Sequence, residues 1–375
     1  MTIDYAKLIR RGLSLLDLNR TRQHLAFRTL RDEFYRDLWR KAALNMGFTH
    51  EDLGSGYNLI SKGAFSTSVK HGDVPLDTDE TLRRMGNKPL IYQLMTERGY
   101  RVPRFCTYRP ENMTVAERFL RNTSGYVVVK PASGTGGGRG VTTGIGDVQA
   151  LRQASKFASR FGGNLLIEEQ LEGRSFRLLY LNGELIDVVR RDPPVVTGDG
   201  RNTIAQLIKT ENIRRRECRP ATSLNPLFID EDCRMYLASI GKTVHSRPAT
   251  GEVVQVKSVV NENAAAQQHN VLNLVHASTV KSGARLVREM GVVFAGIDVH
   301  CRNISRPLDE ANGLITEINT TPGIHHHYLT SDTSQQVPAA EIVLAYMFKS
   351  RSGVSRSVPG EYLDINQGLM NPCML

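Results

Sequence analysis

Three side chains in the last quarter of the chain have the makings of a hard-cation site. Asp298 lies in the apolar run AGIDV, and Glu317 and Asn319 follow it by 19 and 21 residues in LITEIN. Residues two apart on a strand share a face, so Glu317 and Asn319 point the same way. With a carboxylate on a neighbouring strand they form an all-oxygen set. Such a set suits Mg²⁺, which takes few protein oxygens and leaves its other positions to phosphate and water; Mn²⁺ is an alternative. The second chemical signal is the loop SGTGGGRG, residues 133–140, with Gly136, Gly137 and Gly138 at its centre. Five glycines in seven positions let backbone N–H groups turn inward and close on an anion. The Gly-Lys-Ser/Thr ending of a Walker loop is missing. A strand rather than a helix is expected after the loop, which argues against a dinucleotide fingerprint. Lys130 ends the run that enters the loop and can place a point charge on a nucleotide phosphate.

The elements that must hold these groups are readable in outline. Residues 22–47 predict an amphipathic helix, with Phe27, Leu30, Phe34, Leu38 and Ala42 on one side and Gly47 as its stop. Residues 56–77 predict short strands and turns, and 78–99 a helical stretch ending at Gly99. GYVVVKP (125–131), VTTGI (141–145) and NLLIEEQL (164–171) read as strands, with a helix over 147–161 capped by Asp147. Residues 176–191 predict a hairpin about Asn182-Gly183. A Gly-rich turn and helix are expected over 195–210, a strand over 253–260 and a long helix over 267–290. Strands over 292–300 and 312–323 then carry the acidic groups. The fold class is α/β (α+β). The expected division is an N-terminal helical and β region (1–80), a small lobe with the glycine loop (81–175), a larger lobe with the metal and substrate groups (176–350) and a peripheral tail (351–375).

Composition narrows the setting. The 375 residues are 40% hydrophobic and 23% charged, a globular balance that excludes an acidic disordered chain or a disulfide miniprotein. No run approaches the length of a bilayer span, and no signal peptide is read at the start. Five scattered cysteines without CxxC spacing fit a reducing cytoplasm. The formal charge is +10, and half of it falls in the first 50 residues, where ten Lys/Arg meet five Asp/Glu. A basic excess attracts anions of any kind. Without interleaved aromatics or a known module, it does not read as a nucleic-acid site.

The ordered motifs Lys88, VVVKPASGTGGGRG, IEEQLEGRSFR, GIDV and TEINTTPG resemble the ATP-grasp superfamily of carboxylate–amine ligases. Residues 177–208, from the hairpin strand through the Gly-rich turn, are similar to the ATP-grasp region of cyanophycin synthetase, without the Mur-ligase-like half. The resemblance covers about residues 80–345 and implies two lobes closing on ATP. It implies that Lys88 and Lys130 bind ATP phosphates, that Gly136, Gly137 and Gly138 cover them, and that Glu168, Glu169 and Leu171 form the adenine hinge. It implies Mg²⁺ at Asp298, Glu317 and Asn319. Lys257 would face the γ-phosphate, with Arg177 and Arg190 as further catalytic groups. Arg191, Gly323, His325 and His326 would line the substrate, Arg191 being the weaker member because adjacent strand residues face opposite ways. Ser175 replaces the acid that holds ribose in relatives, leaving that contact to another group such as Glu168. His325, His326 and His327 cannot all face one metal in extended chain.

The implied activity is amide-bond formation through an acylphosphate, with ADP and phosphate as products, joining an amino acid to an amino acid, peptide or natural-product intermediate. Alternatives are a carrier-protein thiol or protein terminus as acceptor, or a regulator that binds nucleotide without catalysis. Expected partners are ATP and small amino-acid or peptide substrates, with a carrier protein as a further candidate and no nucleic acid or membrane. A homodimer is expected from base rate.

Overall fold

The computed structural model describes residues 18–136 and 138–356. Gly137 and most of the tail after residue 350 lie outside the described residues, as does residue 1 to 17 of the basic N-terminal segment. The chain opens with helix α1 (Leu18–Asn45). Its buried stripe is wider than the predicted one: Phe27, Leu30, Tyr35, Trp39, Ala42 and Ala43 are all buried. Gly47, at φ +68°, takes the left-handed turn that closes it. A meander follows, β1 (Thr49–Gly54), β2 (Tyr57–Lys62) and β3 (Phe65–Lys70), and leads to α2 (Asp79–Met85) and α3 (Lys88–Glu97). The single helical stretch expected over 78–99 is thus broken. Gly86 closes α2, and the Asn87 side chain accepts from Leu90 N to start α3 with Pro89 in its first turn.

The next unit is β4 (Phe105–Tyr108), α4 (Met113–Arg121), β5 (Val127–Pro131), β6 (Thr142–Ile145), α5 (Val148–Ala158) and β7 (Leu165–Glu169). Its strands form an antiparallel sheet in the order β4-β7-β5-β6, and one face packs on α4 and α5 through Leu120, Leu151 and Ala154. Asp147 caps α5 as expected. The glycine loop joins β5 to β6 at the open end of this sheet.

The central sheet begins with the hairpin β8 (Arg174–Leu181) and β9 (Glu184–Arg191), turned by Asn182 and Gly183 at φ +51° and +77°. An excursion then carries β10 (Val195–Thr197), α6 (Ile204–Glu217), α7 (Glu231–Ser239) and β11 (Val253–Gln255), with its own small core around Ile204, Ile208, Leu237 and Val256. The chain returns through β12 (Gln268–Asn270), α8 (Ala277–Glu289), β13 (Phe294–Cys301) and β14 (Gly313–Thr320). The sheet order is β12-β9-β8-β13-β14, antiparallel throughout. Where one long helix over 267–290 is expected, the first part is instead β12 between two short 3₁₀ turns. Its backbone extends the sheet edge beside β9, so only residues 277–289 are free to coil.

Helix α9 (Ala339–Ser350) and the short β15 (Ser355–Arg356) bring the chain back to its N-terminal segment: β15 pairs with β3. Helix α9 packs on α1, and both share a core with Leu179, Leu181, Ile186 and Phe294 of the central sheet. The other face of that sheet is covered by α8 through Leu286 and Val287. Burial on both faces fixes the register, because a one-residue slip would exchange every cleft residue for a core residue. Among the described residues, no helix is long and apolar enough to cross a membrane.

Candidate active site

Three strands of the central sheet present their chemistry in a row. Arg177 on β8 is directly opposite Asp298 on β13, which is directly opposite Glu317 on β14. Arg177 grips Asp298 with two bonds, Nε to Oδ1 at 2.6 Å and Nη2 to Oδ2 at 3.0 Å. Arg191 adds a third at 3.1 Å, and Asn319 Nδ2 donates to the same carboxylate at 3.2 Å. Burial would raise the Asp298 carboxyl, but the guanidiniums of Arg177 and Arg191 outweigh it and hold it below the usual carboxylate range. Lys88, at the start of α3, reaches Glu317 at 2.6 Å. The room for Arg177 depends on Gly296: a Cβ there would come within 2.9 Å of both the Arg177 guanidinium and the Pro322 ring.

The second cluster belongs to the smaller sheet. Lys130 on β5 donates to Glu168 Oε1 at 2.6 Å, and Tyr92 on α3 donates to Glu168 Oε2 at 2.9 Å. All three are buried. Burial, and then the Glu168 charge, push the Tyr92 phenol well above its ordinary value, so it remains a donor. Both Glu168 oxygens are thereby engaged within the protein. Glu169 turns the other way and is tied to Arg104 through its backbone N–H and its guanidinium.

A single cleft of about 1510 Å³ joins the two clusters. It is lined by Lys88, Lys130, Gly136, Gly138, Glu168, Glu169, Leu171, Arg177, Arg191, Asp298, Glu317, Asn319, Gly323, His325 and His326, and Ser175 lies in the same wall. Gly137 falls outside the described residues. Gly138, at φ +68°, is pressed so close to Asn261 that a side chain would collide with it. The glycine loop therefore meets the excursion across the mouth of the cleft. A further tie is Thr143 on β6, which donates to Ser258 at 2.5 Å.

Two expected site residues stand elsewhere. The Lys257 ammonium is buried between Asp230 at 2.8 Å and Glu262 at 2.9 Å and does not line the cleft. Burial would lower its pKa, but the Glu262 and Asp230 charges overcome that and keep it charged. Arg190 also lies off the cleft. It pairs in register with the core residue Phe176, and its guanidinium holds Asp192 at 3.0 Å. Alternation along β9 gives the cleft position to Arg191, opposite Ser175.

The histidine run forms a single 3₁₀ turn in which the His325 and His326 rings lie against each other, centroids 4.1 Å apart, and His327 turns away. His325 Nδ1 lies 2.7 Å from the Tyr35 hydroxyl, His326 Nδ1 lies 2.7 Å from Gln268 Oε1, and His327 turns into the core against Asp187 at 2.7 Å. Burial, followed by the field of Arg31, drives His325 down to about 3; burial and its neighbour His325 push His326 well below its ordinary value. Both rings are neutral near pH 7. Sequence reasoning missed Tyr92, Arg31 and Tyr35. Only the spacing of Tyr92 from Lys88, one helical turn along the same α3, could have drawn attention to it.

The acidic groups suit a magnesium ion by donor chemistry. Asp298, Glu317 and Asn319 are oxygen donors on paired strands, and neither Glu317 Oε2 nor Asn319 Oδ1 has a hydrogen-bond partner among the described residues. There is no cluster of three or more His, Cys, Asp or Glu side chains poised to hold a metal among the described residues. The site therefore needs the Asn319 amide and oxygens from a bound phosphate to complete a coordination shell.

The architecture is that of the ATP-grasp fold. The structure aligns with a bifunctional glutathione synthetase from Pasteurella multocida at a TM-score of 0.50 and 21% identity, covering 82% of this chain and 43% of that one. In sequence the chain is homologous to cyanophycin synthetase of Trichormus variabilis, 30% identical over 217 residues, which is 57% of this chain and 24% of the relative. It is also homologous to the glutathione biosynthesis bifunctional protein GshAB of Clostridium perfringens, 26% identical over 249 residues, 65% of this chain and 31% of the relative. The chain thus spans about a quarter to a third of the length of these curated relatives. No family model matches it.

Proposed function

We propose that the protein is an ATP-dependent carboxylate–amine ligase that forms an amide bond through an acylphosphate. The observation that carries this reading is the in-register row Arg177–Asp298–Glu317, with Lys88 on its end, facing Lys130 and the glycine loop across one cleft. The similarity to a cyanophycin synthetase and to a glutathione biosynthesis protein supports the amino-acid character of the substrates.

The proposed roles follow from position. Lys130 and Lys88 each hold a carboxylate now, and each would turn its ammonium to nucleotide phosphate when ATP enters. The backbone N–H groups around Gly136 and Gly138 would cover the phosphates and exclude water, which would otherwise destroy an acylphosphate. The segment Glu169 to Leu171 would present backbone groups to the adenine. Asp298, Glu317 and Asn319 would hold Mg²⁺, which when bound supplies positive charge to the phosphates. Arg177 is fixed by its bidentate bond, so its guanidinium is preorganised for charge developing on the transferred phosphoryl group. A substrate carboxylate attacks the γ-phosphorus, ADP leaves, and an amine then displaces phosphate from the acyl carbon. No side-chain nucleophile is required.

The test is ADP formation against pooled amino acids, with product masses. ADP release that requires a pair of substrates, with a product equal to their sum less water, is expected. AMP and pyrophosphate as products would contradict the mechanism.

A further inference from the structure

Helix α1 contributes Arg31 to the lining of the cleft. The Arg31 Nη2 is held by Leu224 O at 3.2 Å and Asn225 Oδ1 at 3.0 Å. The Arg31 Nε and Nη1 donors have no partner among the described residues. One turn along α1, Tyr35 fixes the His325 ring. In the same cleft Arg191 is 3% exposed, and its Nε and Nη1 are buried without any hydrogen-bond partner among the described residues. Buried guanidinium donors left unpaired are costly, and a carboxylate with two oxygens is the group that answers them in geometry and charge.

The charge balance here points the same way. Arg31, Arg177 and Arg191 all act on His325. Asp298 is already committed to two of these arginines, Asp192 to Arg190, and Glu262 to Lys257. The neutral His325 and His326 add no charge of their own. Glu317 also acts on Arg177 and Arg191 but is itself paired with Lys88, so an anionic group on a substrate would find an excess of positive charge there.

We propose that Arg31 and Arg191 form a carboxylate subsite that reads a non-reacting acid group on the amine acceptor, so that the acceptor is an amino acid or peptide with a free carboxylate rather than a simple amine. The inference rests on the ligase reading and deepens it. It gives the N-terminal segment a direct part in substrate choice, through a helix nearly 300 residues away in sequence from the histidine turn it contacts. Arg31 is the specificity-determining residue. Tyr35 is a positioning residue that acts through His325.

The test compares an acceptor found in the pooled assay with its carboxamide, using the full chain. Wild type is expected to favour the free acid by about tenfold to a hundredfold in kcat/KM, the size of a lost hydrogen bond to a charged group. Arg31→Gln should erase most of that preference, chiefly through KM, and Arg31→Lys should restore part of it. An unchanged acid-to-amide ratio in Arg31→Gln would overturn the subsite. If no acceptor supports turnover, the ligase reading is what fails. The subsite is then read by thermal shift with glutarate against glutaramide. Stabilisation by glutarate alone, lost in Arg31→Gln, supports it; equal shifts in both proteins refute it.

Discussion

Two buried clusters of cations and carboxylates differ in one respect. In the excursion, Lys257 is enclosed by Asp230 and Glu262, and neighbouring Arg215 spends its donors on Glu211, Asn225 O and Glu262 O. Each of these donors ends on protein. In the cleft, Arg177 and Arg191 also share a carboxylate, yet Arg191 keeps two buried nitrogens without partners, and Glu317 and Asn319 keep an oxygen each. A closed cluster holds the fold together, and an open one is shaped for something that arrives later. Charge and burial are alike in the two; satisfaction of the donors separates them.

Breaking each cluster should therefore give different losses. Asp298→Asn is expected to have the largest effect. ADP formation should fall about 10²–10³-fold, the scale of losing one preorganised electrostatic group, and leaving Arg177 and Arg191 unpaired should also lower stability. Steady-state kinetics with a denaturation curve on the same sample would show both, and near-normal turnover would count against the site. Lys257→Met should destabilise by about 3–5 kcal/mol by stranding Asp230 and Glu262. Its folded fraction should retain kcat/KM within about threefold, less than ~1 kcal/mol in transition-state stabilisation. A large catalytic loss at unchanged stability would return Lys257 to the nucleotide.

A pH experiment sharpens the contrast at the histidine turn. His325 is pushed down to about 3 in the folded chain, against an ordinary value of about 6.5 when unfolded. The unfolded state thus binds a proton that the folded state refuses between these values. Stability is fully present above pH 6.5 and is lost as pH falls toward 3, by about 1.4 kcal/mol per pH unit from this group. His326 acts in the same direction. Urea denaturation from pH 7 to 5 should show a steeper loss in wild type than in His325→Gln; parallel curves would contradict the burial. The smallest effect is expected at Arg190→Gln, which should change stability by no more than about 0.5 kcal/mol, as surface substitutions do. Turnover should also stay close to wild type, whereas Arg191→Gln should impair substrate binding.

The contrast also explains what the amino-acid sequence could reveal. The Asn182–Gly183 hairpin, the glycine loop between β5 and β6, and the shared face of Glu317 and Asn319 are local, and two-residue periodicity or turn chemistry is enough to read them. Lys257 and Arg190 were not separable from cleft residues, because closure of a donor is a tertiary fact. Lys257 meets Asp230 from 27 residues away, and the strand position of Arg190 does not reveal which face meets the core. The helix expected over 267–290 was interrupted because residues 268–270 find a partner in β9, and sheet pairing overrides helical pattern. Arg31 and Tyr35 lie within an amphipathic helix whose sequence carries no sign of a site. Only the fold brings α1 to the histidine turn.

The most direct test of the central claim uses a donor amino acid labelled with ¹⁸O in its carboxylate. The account predicts ADP, amide product and inorganic phosphate carrying one ¹⁸O from the donor, because the carboxylate oxygen becomes the bridge of the acylphosphate. Unlabelled phosphate, or label recovered in AMP, would contradict it.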